Sequence, residues 1–592
     1  MRRIIIILGM LLFPVSGAWG QGITFEGKPR WGFNNTVVLQ RINRLSVLVA
    51  NNTGEAFDGT ITLQKEDFSG SRLGARLVQP VYLTPFTQRW VHFHCYVANE
   101  HEQWRLRIGR GLLPSTSQKV ERAKAGPPVR MFLREAGSVV GRRSRMQSFA
   151  DDEFPTSLTG LDTLHSLVLA HAPEWEPSRK QALRDWVYRG GTLHIFQDSQ
   201  GRFPIFVGTE LSFLNQDSGA SSVGAGQVVY HAKPGHTASG NNLDKQGYPV
   251  ARVKENNSSY LYGTVEQTIL LHLRRLVLPE HNWGFMFFVA MIYLVLIGPL
   301  NYVFARRWVN HFLSLGAFLA CVLVFGLIFM LLGRRGFGEA SGISYLSYVQ
   351  PLDANRSDLT QWTNAFSTKG KTVDFTHSGT HRVFSTCQES EAVPGTIVNG
   401  VKGLFQVEMP IFSSMSFLVR TVVDGPDLAC SAEGDVTTGI DSIRFRVGTD
   451  LPQEIQFARL VYRDRVYSLK REDAFFVIDD AKGDRSVKQL IDPDMRSRIS
   501  QLGQVNAFAI GRVKKQNKGL NLGQKHEPVF YMVMERVLGA NKIFHQQVEV
   551  SGLPANLARL FILTQSPGAF NLQSSSFKEQ NGMMILHQDI LL

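Results

Sequence analysis

Two long apolar runs lie near the middle of the chain. Residues 284–304 read GFMFFVAMIYLVLIGPLNYVF, and residues 312–332 read FLSLGAFLACVLVFGLIFMLL; neither contains a charge. A helix rises about 1.5 Å per residue, so each run is long enough to cross about 30 Å of hydrocarbon. The pattern predicts a two-helix transmembrane hairpin.

The linker between the two runs orients the hairpin only weakly. Residues 305–311 read ARRWVNH, too short for a domain, and Arg306 and Arg307 favour a cytoplasmic turn. Arg334 and Arg335 follow the second run on the opposite side, so flanking charge alone does not fix the orientation.

Pro299 and Asn301 lie inside the first run. Proline removes a helical hydrogen bond, so a kink is expected here. Asn301 is expected to bond the second helix or the headgroup region, and the alternative is a contact with a partner protein.

The N-terminus resembles an export signal. Arg2 and Arg3 precede the apolar residues 4–15, and Ala-Trp-Gly at 18–20 is a small-x-small cleavage pattern. We therefore predict a signal peptide over 1–20, with an uncleaved signal anchor as the alternative. Export of the N-terminus places both large flanking regions outside the cytoplasm.

Length and composition indicate several folded units. The chain has 592 residues, 44% hydrophobic and 19% charged, which is ordinary for a globular protein. The formal net charge of +13 is spread along the chain, so it indicates lipid headgroups or solubility, and we expect no nucleic-acid partner.

Patterns outside the apolar runs predict a multidomain α/β plus β protein. Short β-rich runs between turn residues over 22–125 favour an immunoglobulin-like sandwich. Alternating runs over 335–592 predict a β-rich region, with two β domains. Residues 259–280 form an amphipathic connector, which could lie on the outer leaflet or pack on the preceding sheet.

The remaining unit, 128–258, shows the order strand, helix, double glycine, strand. The helix covers 178–188, Gly190 and Gly191 end it, and the next strand is 192–196. This order is typical of a βαβ unit with a parallel sheet.

Three stretches carry a family resemblance: LHSLVLAHAPEWEPSRKQALRDWVYRGGTLHIF at 164–196, GAGQVVYHA at 224–232 and IGPLNYVFARR at 297–307. Together they resemble bacterial membrane proteins that carry a class I glutamine amidotransferase-like domain, over about 128–310. The resemblance implies a flavodoxin-like domain outside the bacterial inner (cytoplasmic) membrane. By analogy, it implies partners with von Willebrand A-like domains and a MoxR-type ATPase.

The chain departs from active members of that class, which need a cysteine nucleophile with a histidine and an acidic partner. No cysteine lies between 128 and 235. Ser199 is the one conceivable substitute, with His171 or His194 to serve it, but no G-x-S-x-G elbow surrounds it. The cysteines are Cys95, Cys321, Cys387 and Cys430.

Two further pairs of residues are candidate sites. His92 and His94 point to the same face of a strand and could form a metal pair, but no third ligand is evident. Cys387 and Cys430 could form a disulfide or remain two buried thiols. We predict no catalytic, cofactor or metal site.

These features predict a non-enzymatic, membrane-anchored envelope protein that acts as a scaffold or as a partner- or ligand-binding subunit. Its expected partners are the lipid bilayer and other membrane or envelope proteins. The alternative is a degenerate or serine-dependent hydrolase on the amidotransferase-like domain.

Overall fold

The structure is a computed structural model. It describes residues 22–592 except 34, 111–112, 136–145, 199, 216–218, 240–242, 244–264, 278–282, 308–310, 337–340, 387–391, 435–438, 480–484, 491–492, 503–518, 539–556, 575 and 578. The predicted signal peptide, Ser199 and Cys387 therefore lie outside the described residues.

The described chain is rich in β-strand, as predicted. The strands ahead of the first α-helix are Ile23–Trp31 (β1), Thr36–Val37 (β2), Arg41–Asn51 (β3), Phe57–Glu66 (β4), Arg72–Leu83 (β5), Gln88–Val97 (β6), Gln103–Arg110 (β7), Leu113–Val120 (β8), Lys124–Ala125 (β9), Val129–Arg134 (β10), Ser148–Ala150 (β11) and Leu164–Leu169 (β12). Thr192–Gln197 (β13), Ala220–Val223 (β14) and Gly226–Pro234 (β15) follow that helix.

The strands after the apolar helices are Gly342–Asp353 (β16), Arg356–Ser367 (β17), Lys371–Phe375 (β18), Thr380–Ser385 (β19), Ala392–Val398 (β20), Leu404–Met409 (β21), Ser413–Asp424 (β22), Ser431–Glu433 (β23), Arg444–Arg446 (β24), Ile455–Tyr462 (β25), Arg465–Glu472 (β26), Phe475–Ile478 (β27), Arg485–Ser486 (β28), Leu557–Gln565 (β29) and Glu579–Leu591 (β30). The α-helices are Pro177–Tyr188 (α1), Val265–Val277 (α2), Trp283–Val295 (α3), Asn301–Arg307 (α4), His311–Gly336 (α5), Pro493–Leu502 (α6) and Leu522–Val537 (α7).

The N-terminal strands form two layers. Strands β1, β3 and β6 make one antiparallel sheet, and β4, β5, β7 and β8 belong to another. Alternation along β6 turns Val91, Phe93 and Cys95 inward. These side chains share one core with Leu63 and Leu106 of the facing sheet. The layers are those of a β-sandwich, and the immunoglobulin-like topology stays a prediction.

The second N-terminal sheet continues into the C-terminal half of the chain. Its order is β18-β21-β20-β5-β4-β7-β8, and β20 pairs with β5 in parallel, with Ile397 opposite Leu77. Phe405 and Phe417 join the same core as the N-terminal layers. The boundaries 22–125 and 335–592, drawn from the sequence, thus divide one continuous core, because the strand pairing links segments remote in sequence.

The predicted βαβ unit is confirmed. Strands β12 and β13 pair in parallel on either side of α1. Trp186 of α1 is buried in the core of this unit, and Gly191 after the helix is packed so closely that a Cβ there would meet the Trp186 ring at 2.5 Å. The strand order is β11-β10-β12-β13-β15-β14, with all pairs parallel except β14 with β15.

Twelve of the C-terminal strands form a single sheet, whereas β18, β20 and β21 belong to the seven-stranded sheet; the division of this region into two β domains stays a prediction. The order of the twelve-stranded sheet is β19-β22-β17-β16-β30-β29-β25-β26-β27-β24-β23, with β28 beside β26. The final strand, β30, pairs in parallel with β16, so the two ends of this region lie side by side.

The amphipathic connector is a helix, α2, in the protein core. Ile269, Leu270 and Leu273 are buried in a cluster with residues of the twelve-stranded sheet, α6 and α7. Glu266 accepts hydrogen bonds from Tyr96 and Arg536. The helix therefore packs as part of the folded body, against the twelve-stranded sheet and also against Ile42 and Tyr96 of the N-terminal strands β3 and β6.

The apolar run splits into α3, a π-helical turn at Leu296–Leu300 and α4, followed by α5. Pro299 lies in that turn, where the hydrogen-bond pattern of the helix changes; the kink itself stays a prediction. Tyr293 contacts Phe325 of α5, with ring centroids 5.2 Å apart. Large apolar side chains such as Phe288, 60% exposed, face outward.

A nearly buried ion cluster joins the α/β unit to the twelve-stranded sheet. Arg420 Nη2 lies 2.7 Å from Asp358 and 3.1 Å from Asp162, and Arg189 Nη1 lies 2.7 Å from Asp162. Burial alone would raise the pKa of Asp162, but the guanidinium groups of Arg420 and Arg189 outweigh it and hold that pKa below its usual value.

Replacing Arg420 by Met should destabilise the fold. The substitution leaves two carboxylates short of a counter-charge in a site that excludes water, which costs about 3–5 kcal/mol. Urea unfolding of the detergent-purified chain would measure this loss. Arg202→Met is the matched control, because its ion pair with Asp198 is exposed. Equal midpoints for the two variants would contradict the role given to the cluster.

Candidate functional site

The best-formed polar site lies at the carboxyl edge of the parallel sheet. Strands β10 and β12 are neighbours in the sheet, but the chain continues from β10 to β11 on one side and from β12 to β13 on the other. Ligands bind beyond the carboxyl ends of the strands at such a switch point. Asp151 follows β11 and His171 follows β12. Asp151 Oδ2 and His171 Nε2 are 2.8 Å apart, and both side chains are mostly buried.

Three side chains hold the turn that carries Asp151. Trp175 Nε1 donates to the carbonyl oxygen of Asp151 at 3.0 Å. Arg179 donates to the carbonyl of Asp152, and Arg44 of β3 donates to that of Glu153. The backbone N–H of Phe154 also donates to the carbonyl of Asp151, at 3.2 Å. The three side-chain donors add to this bond and fix the turn.

The Asp151–His171 pair can orient an imidazole, as the acidic member of a catalytic triad does. Such a pair needs a nucleophile to act in acyl transfer. Both carboxylate oxygens of Asp151 lie within hydrogen-bond distance of Nε2 of His171. Among the described residues, no hydroxyl or thiol hydrogen-bonds to His171. The observed geometry is that of a preorganised histidine at a sheet edge.

The second predicted histidine has different neighbours. His194 is buried on β13, and its Nδ1 lies 3.0 Å from Nε2 of His231 on β15. The His231 ring stacks on Phe196, and burial together with Lys233 lowers the pKa of His231. The described contacts do not bring His171 and His194 together, and Ser199 lies outside the described residues.

The remaining sequence candidates are dispersed. His92 Nδ1 contacts Ser46 Oγ at 2.9 Å, whereas the His94 ring meets His381 edge-on. Among the described residues, no group of three or more His, Cys, Asp or Glu side chains could hold a metal ion. Burial raises the pKa of the Cys430 thiol to about 11, and its pairing with Cys387 stays a prediction.

Sequence reasoning missed Asp151 as the partner of His171. Asp151, Asp152 and Glu153 read as an ordinary acidic turn. A usable signal exists, because carboxyl ends of neighbouring parallel strands meet at one edge. Recognising the short strand Ser148–Ala150 would have placed Asp151 at that edge.

Comparison with known proteins adds little. No protein-family model and no curated protein matches the chain. The CARDB domain of a Pyrococcus furiosus protein, solved with di-metal ions, is 12% identical, covers 17% of this chain and 84% of its own, and has a TM-score of 0.13. A β-glucosidase from Erythrobacter marinus is 17% identical over 17% of this chain and 15% of its own, with a TM-score of 0.13.

A Paenibacillus cycloisomaltooligosaccharide glucanotransferase is similar over a longer span. It is 10% identical over 67% of this chain and 71% of its own, with a TM-score of 0.15. TM-scores this low carry no argument about fold or activity.

A second pair of histidines lies where α2 and α7 pack together. His272 of α2 and His526 of α7 are buried, with ring centroids 5.0 Å apart. Burial, reinforced by Lys525, lowers the pKa of His526 to about 4. Burial also lowers the pKa of His272 well below its usual value, with His526, Arg275 and Arg498 adding to the effect.

This pair predicts loss of stability on acidification. His526 stays neutral when folded down to about pH 4 but binds a proton near pH 6.5 when unfolded, so the unfolding free energy should fall between those values. One such group contributes up to about 1.4 kcal/mol per pH unit.

Urea unfolding at pH 7.5 and pH 5 should therefore show a smaller pH effect for His526→Gln than for the unmodified chain. His101→Gln is the matched control, because His101 is exposed. If His526→Gln kept the full pH dependence, acid sensitivity would have to come from other groups.

Proposed function

We propose that the chain is a membrane-anchored envelope protein whose two large flanking regions lie on the same side of one bilayer, where they act as a binding scaffold. The observation that carries this proposal is the pairing of β5 with β20 across the apolar helices. Strands that share hydrogen bonds cannot be separated by a membrane.

The shared sheet limits the number of membrane crossings. Residues before α3 and after α5 contribute to one core. A chain that enters a bilayer between them must return, so the number of crossings is even. Among the described residues, the continuous helical stretch Phe285–Arg307, which runs through α3, the π-helical turn and α4, is long and apolar enough to cross a membrane. Helix α5 contains the shorter apolar stretch Leu315–Met330. A two-helix hairpin gives an even number of crossings and uses both apolar stretches.

Exposure of the helices supports their contact with lipid. Phe287, Phe288 and Leu323 are 69%, 60% and 73% exposed. An apolar surface of this kind is costly in water and is the normal outer surface of a membrane helix. Val289 of α3 and Phe325 of α5 are buried. Phe325 contacts Tyr293 of α3, so these two helices face each other.

The predicted export signal supports an extracytoplasmic position for the folded body, with the turn 305–311 in the cytoplasm. The resemblance to bacterial membrane proteins supports the inner membrane as the location.

The scaffold role is supported by the architecture. The strand order of the α/β unit is compatible with the flavodoxin-like, amidotransferase-like domain inferred from sequence. The chain lacks a cysteine in that unit. Its carboxyl edge holds the fixed Asp151–His171 pair, which could recognise a polar group of a ligand or partner. The alternative, a serine-dependent hydrolase, requires Ser199 to reach His171 or His194.

Cysteine labelling would test the topology. Val309→Cys, in the predicted cytoplasmic turn, should react with a membrane-impermeant maleimide only after the inner membrane is opened. Val401→Cys, exposed in the turn between β20 and β21, should react as soon as the outer membrane is permeabilised. Labelling of both positions in intact spheroplasts would reject the hairpin.

The hydrolase alternative has its own test. If the chain is a scaffold, Ser199→Ala should complement a deletion strain as well as the unmodified gene does. Ser212→Ala, in the same unit, controls for loss of a hydroxyl. Loss of function in Ser199→Ala alone, at an unchanged amount of membrane-bound protein, would favour the hydrolase.

A further inference from the structure

We propose that the turn Pro410–Ser413 is a membrane-contact site, at which Ile411 and Phe412 insert into the headgroup region of the bilayer that anchors the chain. This inference rests on the proposed membrane anchor and adds a second, peripheral contact to it. The ligand is the lipid surface itself.

The position of the turn follows from strand register. Gly342, the first residue of β16, is opposite Phe366 of β17, and Ser367 is opposite Ser413 of β22. The turn therefore lies at the end of the sheet where the chain arrives from α5. Gly336, the last residue of α5, is six residues from Gly342, which spans at most about 20 Å.

The two apolar side chains of the turn are both partly exposed to solvent. Ile411 is 64% exposed and Phe412 is 45% exposed, next to each other in sequence. Single exposed apolar residues are common, but an adjacent isoleucine and phenylalanine at a turn that faces the anchor are typical of interfacial insertion.

The turn is held in this shape by its own contacts. Ser413 Oγ donates to the carbonyl of Pro410 at 2.7 Å. Phe412 has a φ of 52°, which is uncommon for an aromatic residue and is stabilised by its surroundings. The neighbouring turn packs against it, since a Cβ at Gly370 would lie 3.2 Å from Cγ1 of Ile411. A preformed apolar tip loses little entropy on insertion.

Charges around the turn are mixed, so apolar contact dominates. Lys369, on the neighbouring turn, is exposed and can reach lipid phosphates, whereas Lys371 donates to the carbonyl of Ser576. Glu408 and Glu579 are exposed at the same end of the sheet. Insertion should therefore occur in phosphatidylcholine without anionic lipid.

A bilayer is favoured over a protein partner because it is always within reach. Tethering by α5 gives the lipid surface a high effective concentration at the turn, so even a weak apolar contact is occupied.

The test uses the full chain in phosphatidylcholine nanodiscs, with its native cysteines replaced and one environment-sensitive label at Ile411→Cys, Val401→Cys or Leu323→Cys. Val401 is the matched control, because it is 74% exposed in the turn at the opposite end of β21. Leu323 reports on the anchor. Lipids with a nitroxide near the headgroup quench labels at the interface, and lipids with a nitroxide deep in the acyl chain quench labels in the span.

We expect the label at Ile411 to be quenched by the shallow nitroxide at least about threefold more than the label at Val401, and the label at Leu323 to be quenched by the deep nitroxide. Quenching at Leu323 with equal, weak quenching at Ile411 and Val401 would overturn this inference and leave the anchor standing. Absence of quenching at Leu323 would overturn the proposed anchor. An Ile411 label shielded by a copurified protein instead of lipid would also overturn the contact site.

Discussion

The parallel pairing of β5 with β20 is the constraint on which the rest of the architecture depends. It joins a strand that precedes the apolar helices to a strand that follows them. The two N-terminal layers then share a core with the C-terminal strands. The proposal that both flanking regions lie on one side of a bilayer depends on that shared sheet.

Buried charges reinforce this arrangement alongside the hydrophobic packing, which also joins Leu352 and Val422 of the large sheet to the core of the α/β unit. Arg420 and Arg189 hold Asp162 and Asp358 between the α/β unit and the large sheet. Glu266 links the connector helix to Tyr96 and Arg536, from the two halves of the chain. A buried charge is costly without its partner, so such contacts define one relative placement of the units.

Local pattern was enough to predict individual elements. Three patterns were informative because each depends only on nearby residues: the uncharged runs, the alternation along strands, and Gly190-Gly191 at the end of a helix. The corresponding helices and strands are present. The partner of β5 was not predictable from the sequence. The edge of one strand can pair with the edge of many other strands, because every strand presents the same backbone N–H and C=O groups. For the site, His171 was singled out, but its partner Asp151 required the sheet order.

The remote partner of β5 has a consequence for biogenesis. On one side β5 pairs with β4, and its other edge stays open until β20 exists. Synthesis of residues 84–391 at roughly 5–20 residues per second takes roughly 15–60 s. During that interval the edge of β5 that later pairs with β20 has no partner strand. An open edge is a template for aggregation, so this protein should depend on a holding chaperone while it is being made.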